Sequence, residues 1–222
     1  MDKKLKKLEK IVKKILSTKN GAHGWDHIQR VRNLAQEIAK KEGGNNILLD
    51  AMALLHDISR NDTFDGKTCL TNTIKLSQQL LSQCEFKKEE IAFILDGIAS
   101  HSLHAGKLIK PNFLEAQILF DADKIDATGE IGLARLFSVA AKDNVSIDKS
   151  ALLYLQAIKK FEKEFQGKLY TKTSTQIIIP RILFSKEFLE RLINNESEKL
   201  VNLENNKSST PILKSEAYAK NI

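Results

Sequence analysis

Apolar residues return every three or four positions along most of this chain, with charged residues filling the intervals. Leu5, Leu8, Ile11, Val12, Ile15 and Leu16 form the first such stripe, with lysines between them and Asn20-Gly21 as a stop. They predict an amphipathic helix over about residues 2–18. Ile28, Val31, Leu34, Ala35 and Ile38 predict a second helix, capped by Asp26 and closed at Gly43-Gly44. Ile47, Leu48, Ala51, Leu54, Leu55 and Ile58 make a third that is apolar nearly all round, as expected of a helix buried on most sides. Further helices are expected over Leu70 to Leu81, Lys88 to about Ser100, Phe113 to Phe120, Gly129 through Phe137, about Lys149 to Phe165, and Ser185 to Asn194. The polar stretch from Ser59 to Thr68 reads as a loop. Gly167 to Thr173 reads as a linker that can fold over a cleft as a lid.

Composition supports an all-α, single compact bundle. The chain has 222 residues, 42% hydrophobic and 28% charged, enough for one sizeable core, and its ten Gly and three Pro are too few turn formers for a many-stranded β protein. The expected division is an amphipathic first helix (1–19) packed on the domain, a helical domain (20–201), and a polar, flexible tail (202–222) rich in Asn, Ser and Lys. Cys69 and Cys84 lack metal-type spacing, which fits a reducing compartment. No apolar run reaches the roughly 18 residues that span a bilayer, and the start lacks a signal-peptide core, so a cytoplasmic protein without membrane contact is expected. The net charge is +7, but lysine is spread throughout and aromatics are only 6%, so nucleic acid is not the expected partner. A positive field of this kind would instead concentrate a small phosphorylated substrate. A homodimer is left open.

Four polar residues stand where burial is costly. His56 and Asp57 end the third apolar run, and taken alone they read by default as a core histidine bonded to a carboxylate. His27 shares a helix side with Val31 and Leu34, which aims its ring at the core. Asp123 follows Ile118-Leu119-Phe120 in an acidic stretch, Asp121-Ala122-Asp123-Lys124-Ile125-Asp126, that is richer in carboxylates than a capping turn requires. Together they offer two imidazoles and two carboxylates from three helices, a donor set suited to an open divalent site of Mn, Fe, Co, Ni or Mg rather than a closed zinc.

The segments His23-Gly24-Trp25-Asp26-His27-Ile28-Gln29-Arg30-Val31, Leu54-Leu55-His56-Asp57-Ile58 and Asp121-Ala122-Asp123-Lys124-Ile125-Asp126-Ala127 resemble the HD-domain metal-dependent phosphohydrolase superfamily, over about residues 20–195. Within it they are most similar to bacterial proteins of nucleoside triphosphate pyrophosphatase type. The resemblance implies a helical bundle and one divalent metal ion on His27, His56, Asp57 and Asp123, with Asp123 preferred to Asp121 because it directly precedes lysine. Histidines that let some relatives hold two metals are represented here only by His101 and His104. The implied chemistry is hydrolysis of a nucleotide phosphate by a metal-activated water, most simply (d)NTP to (d)NMP and pyrophosphate. In it Asp57 orients the water and Lys124 neutralises phosphoryl charge. His101 donates a proton or binds phosphate, its other reading being a helix C-terminal cation. His104 and His23 are further candidates for substrate contact. Arg30 and Arg135 are phosphate candidates or structural pairs. A phosphodiesterase or 5′-nucleotidase of the same superfamily is the nearest alternative. A non-catalytic nucleotide- or partner-binding scaffold is another, and the intact donor set argues against it.

Overall fold

The computed structural model describes residues 2–17, 23–60, 66–100, 103–104, 107–108, 110–165 and 168–205, with the side chains of 66–69, 103–108, 165 and 195–205 left aside. Its elements are α1 (Lys3–Leu16), α2 (Trp25–Glu42), α3 (Asn46–Leu55), α4 (Gly66–Gln83), α5 (Lys88–Ser100), α6 (Leu114–Asp126), α7 (Gly129–Lys142), α8 (Ile147–Phe165) and α9 (Lys172–Asn205). A short antiparallel ribbon, β1 (Leu103–His104) with β2 (Lys107–Leu108), stands between α5 and α6. Among the described residues the fold is otherwise helical, as the 3.6-residue periodicity requires. No helix among the described residues is long and apolar enough to cross a membrane.

The central element is α3. Every residue from Leu49 to Leu55 is buried, and α1, α2, α5 and α6 pack around it. Asn45 starts it by accepting the Ile47 and Leu48 amides. From α1, Leu5, Leu8, Val12 and Leu16 enter the same core. Arg32 of α2 joins these helices through Asp50 of α3, with one contact at 2.8 Å, and through Glu9 of α1 at 3.0 Å. The crossing of α5 and α3 is close at Gly97, where a Cβ would meet the Met52 Sδ at 2.6 Å. Gly129, at φ +70°, makes the left-handed turn from α6 into α7.

The sequence expectations miss several boundaries: α4 begins at Gly66, inside the stretch read as a loop, and α7 runs on to Lys142. Helix α2 is capped by the backbone of Gly24, and Asp26 falls in its first turn rather than at its cap. Helix α6 does not stop at Phe120 but carries the whole acidic stretch, with Asp121, Asp123 and Asp126 all buried. Helix α9 begins well before Ser185 and passes through Pro180. Ile178, Ile182, Ser185 and Leu189 are buried on one of its faces, and this packing outweighs the missing backbone bond at the proline. The linker read as a lid is fastened down: Tyr170 and Thr171 give their amides to Asp121 at 3.1 and 2.8 Å, and Thr173 gives its amide to Glu42 at 2.7 Å.

If α1 belongs to this core, Leu8→Ala will cost about 2–5 kcal/mol in a urea or guanidinium unfolding titration, the range for a buried leucine truncated to a cavity. A loss below about 0.5 kcal/mol would instead make α1 an appendage.

Candidate metal centre

Three helix termini meet beside the core. His27 comes from the first turn of α2, His56 from the C-cap of α3, Asp57 from the turn that follows, and Asp123 from the last turn but one of α6. All four are buried.

Their donor atoms converge. His27 Nε2 lies 3.2 Å from His56 Nε2, 3.6 Å from Asp57 Oδ2 and 3.7 Å from Asp123 Oδ1. His56 Nε2 is 3.8 Å from Asp57 Oδ2. Two donors bound to one ion at about 2.1 Å lie roughly 3.0–3.4 Å apart in octahedral or tetrahedral geometry, so the separations among His27, His56 and Asp57, whose ligand atoms all lie within 4.8 Å of one another, are close to those around a metal, and Asp123 joins them through His27.

The opposite edges of the two imidazoles decide what those atoms are. His27 Nδ1 is 2.8 Å from Asp126 Oδ2, and His56 Nδ1 is 2.9 Å from the Ala53 carbonyl oxygen. A carboxylate and a carbonyl only accept, so both Nδ1 atoms carry hydrogen and each neutral ring presents a bare lone pair at Nε2. Two lone pairs and two carboxylate oxygens then face one another, an arrangement that needs a cation. Burial opposes charging His27, but its hydrogen bonds to Asp126 and Asp57 outweigh this and hold its pKa above the usual imidazole value. A proton there joins two of the donors; a divalent ion would serve His27, His56 and Asp57 together. Burial likewise opposes charge on Asp123, yet the Lys124 ammonium beside it keeps it well below the ordinary carboxylate range.

Asp126 is the functional residue that sequence reasoning overlooked. Besides orienting His27 it accepts Arg30 Nε at 2.6 Å and Arg135 Nη1 at 2.6 Å. Burial raises its pKa, and the bonds from His27 and Arg30 overcome this to bring it down to about 2. Arg30 and Arg135 are thereby structural partners of a buried carboxylate, the second of the two roles open to them. The one signal for Asp126 was its place three residues beyond Asp123 on one helix.

The two acidic residues in question also separate. Asp121 accepts the Tyr170 and Thr171 amides and, at 2.9 Å, the Thr171 hydroxyl; burial raises its pKa to about 6. It faces α9, and Asp123 faces the cluster. Lys124 sits at the edge of the group, its Nζ 2.9 Å from Asp123 Oδ2 and 5.0 Å from the Phe120 ring centroid. Arg60 Nη1 is 3.2 Å from Asp57 Oδ2. His23, a candidate for substrate contact, is half-buried, its ring 5.6 Å from that of His27. His101 lies outside the described residues, and His104 is described only as backbone of β1.

A family model for the HD domain matches residues 24–128, which include His27, His56, Asp57 and Asp123. The uncharacterized protein YpgQ of Bacillus subtilis is 30% identical over 200 residues, spanning 86% of this chain and 94% of its own. An HD-superfamily hydrolase of Bacillus thuringiensis superposes with a TM-score of 0.64 at 25% identity, covering 87% of this chain and 97% of its own. The crystal structure of YpgQ in complex with ADP gives a TM-score of 0.65 at 22% identity, over 87% and 95% of the two chains. The chain belongs to the HD-domain family. Its buried His/Asp group is of the kind that holds a divalent metal, and its class is that of the HD-superfamily hydrolases.

Asp126→Ala leaves the four donors in place but removes what orients His27. Metal affinity in a chelator-competition titration is expected to fall 10–100-fold, the range for loss of a carboxylate behind a ligating histidine. An unchanged affinity would reduce Asp126 to an anchor for the two arginines.

Proposed function

We propose that this protein is a divalent-metal-dependent phosphohydrolase that cleaves a nucleoside triphosphate, ribo or deoxy, to the monophosphate and pyrophosphate, with one metal ion held by His27, His56, Asp57 and Asp123. The observation that carries this reading is the meeting of two bare imidazole nitrogens and two carboxylate oxygens in a buried site. Mixed nitrogen and oxygen donors suit Mn²⁺, Fe²⁺, Co²⁺, Ni²⁺ or Mg²⁺. That YpgQ crystallises in complex with ADP supports a nucleotide as the ligand class.

The ion, when bound, supplies the Lewis acid that polarises a phosphoryl oxygen and makes water a nucleophile near neutral pH. The chain's own groups do the rest. Asp57, anchored by Arg60, has a carboxylate at the cluster to accept a hydrogen bond from the attacking water and set its direction. The Lys124 ammonium, partly exposed beside Asp123, is placed to meet negative charge that grows on the phosphoryl oxygens. Asp126 holds His27 in the tautomer that leaves Nε2 bare.

The test strips the metal, restores Mn²⁺, Co²⁺, Ni²⁺ or Mg²⁺ in turn, and screens NTPs, dNTPs, nucleoside monophosphates and bis-p-nitrophenyl phosphate. Pyrophosphate release from a triphosphate is expected. Orthophosphate from a monophosphate, or turnover of the diester alone, would move the reaction to a nucleotidase or phosphodiesterase, and no turnover with any metal would remove the enzyme reading. Asp57→Ala is expected to lower kcat at least 10³-fold while retaining the helical circular-dichroism spectrum, in line with the loss of a group that acts on the attacking water.

A further inference from the structure

On the side of α6 away from α2 the bundle leaves a cavity of about 170 Å³ between α6, α8 and α9. Its wall is almost wholly carbon. Tyr154, Ala157 and Phe161 come from α8, Ile178 and Ile182 from α9, and α6 contributes Lys124. The hydroxyls in the lining are already committed: Tyr154 donates to the Ala127 carbonyl, and Thr128 donates to the Ile125 carbonyl at 2.8 Å. Ala157 is exposed, so the cavity opens to solvent on its α8 side. A cavity of about 150 Å³ lined by aliphatic and aromatic carbon is known to take up benzene, so one of this size that also opens to solvent has room for the flat ring system of a nucleotide base.

Lys124 belongs both to this cavity and to the metal centre. It lines the apolar wall, while its Nζ is 2.9 Å from Asp123 Oδ2, and Asp123 Oδ1 is 3.7 Å from His27 Nε2. One side chain therefore separates a carbon-walled space from a site built for phosphate chemistry. A ligand that fits both is an organic phosphate with a flat ring at the far end.

We propose that this cavity receives the base ring of the nucleotide, with the Lys124 ammonium between the ring and the phosphates. The inference rests on the nucleotide reading of the site and adds how the base is held. Because the wall is carbon of Tyr154, Phe161 and isoleucine and its two hydroxyls are committed to backbone carbonyls, the base is gripped by its faces and its edges go unread. Every base has such a face, so the grip tolerates them all. A pocket of this kind separates related ligands by only about 10²-fold, against roughly 10⁴–10⁵-fold for one that hydrogen-bonds them.

Two measurements on the full-length, Mn²⁺-loaded protein test this. The first titrates wild type and Ala157→Trp with dAMP and, separately, with inorganic triphosphate, which has no base. Ala157 lines the cavity and is exposed, so an indole there narrows its mouth without replacing a core side chain. The expected result is dAMP affinity lowered at least tenfold and triphosphate affinity changed less than about twofold. No dAMP binding by the wild type, unchanged dAMP affinity, or equal loss for both probes would overturn the assignment. The second compares kcat/KM for dATP, dGTP, dCTP and dTTP. A spread within about 10²-fold supports face-on binding, and one near 10⁴-fold refutes it. If the wild type hydrolyses no nucleotide yet binds dAMP in a manner that Ala157→Trp weakens, the proposed reaction fails and the cavity assignment stands.

Discussion

Two imidazole Nε2 atoms held 3.2 Å apart, each with its ring's Nδ1 hydrogen already used, and flanked by carboxylate oxygens, are the constraint on which the rest of the site depends. Such a cluster is repulsive unless a cation occupies it, and it persists only because the surrounding helices dictate the side-chain directions. The Ala53 carbonyl fixes one ring and the Asp126 carboxylate fixes the other. Each bond uses up the Nδ1 hydrogen and forces the bare nitrogen inward. The apolar core supplies the rigidity: Leu54, Leu55 and Ile58 around His56-Asp57, and Ile28 and Val31 beside His27, are fully buried.

Helix α6 distributes the work among three carboxylates by geometry alone. At about 100° per residue, Asp123 and Asp126 lie about 60° apart around the helix, and Asp121 lies about 140–160° from both. Asp123 and Asp126 therefore share the side that meets α2, one reaching the cluster and the other the back of His27. Asp121 is turned toward α9, where it holds the Tyr170 and Thr171 amides. One buried helix thus links the metal centre to the segment that starts α9. A displacement of α6 would be felt at both.

This division also explains what could be read from the sequence. His27, His56, Asp57 and Asp123 stand out because a histidine or aspartate adjoining an apolar run is costly unless something binds it, and that cost is visible from local pattern. The helical class follows from periodicity in the same way. Asp126 was hidden because its meaning lies in partners 99 and 96 positions away, His27 and Arg30, which no local pattern connects. The acidic stretch looked like an ending because aspartate disfavours helix interiors, yet burial against α2 and α9 carries α6 through it. Helix α9 was expected only from Ser185, and its buried face, with Ile178 and Ile182, carries it through Pro180 from Lys172.

The charges around the centre point the same way as its donors. Asp57, Asp123 and Asp126 contribute three negative charges, and Arg30, Arg60, Lys124 and Arg135 answer with four positive ones, each within 3.2 Å of one of these carboxylates. With neutral histidines the group is therefore at +1 before any ion enters, and a divalent ion would bring it to +3. A site that needed only to hold a metal would be better served by excess carboxylate. An excess of positive charge at a partly desolvated edge, where Lys124 and Arg60 are still accessible, is what a polyanion such as a triphosphate chain requires, and the overall charge of +7 extends that attraction outward.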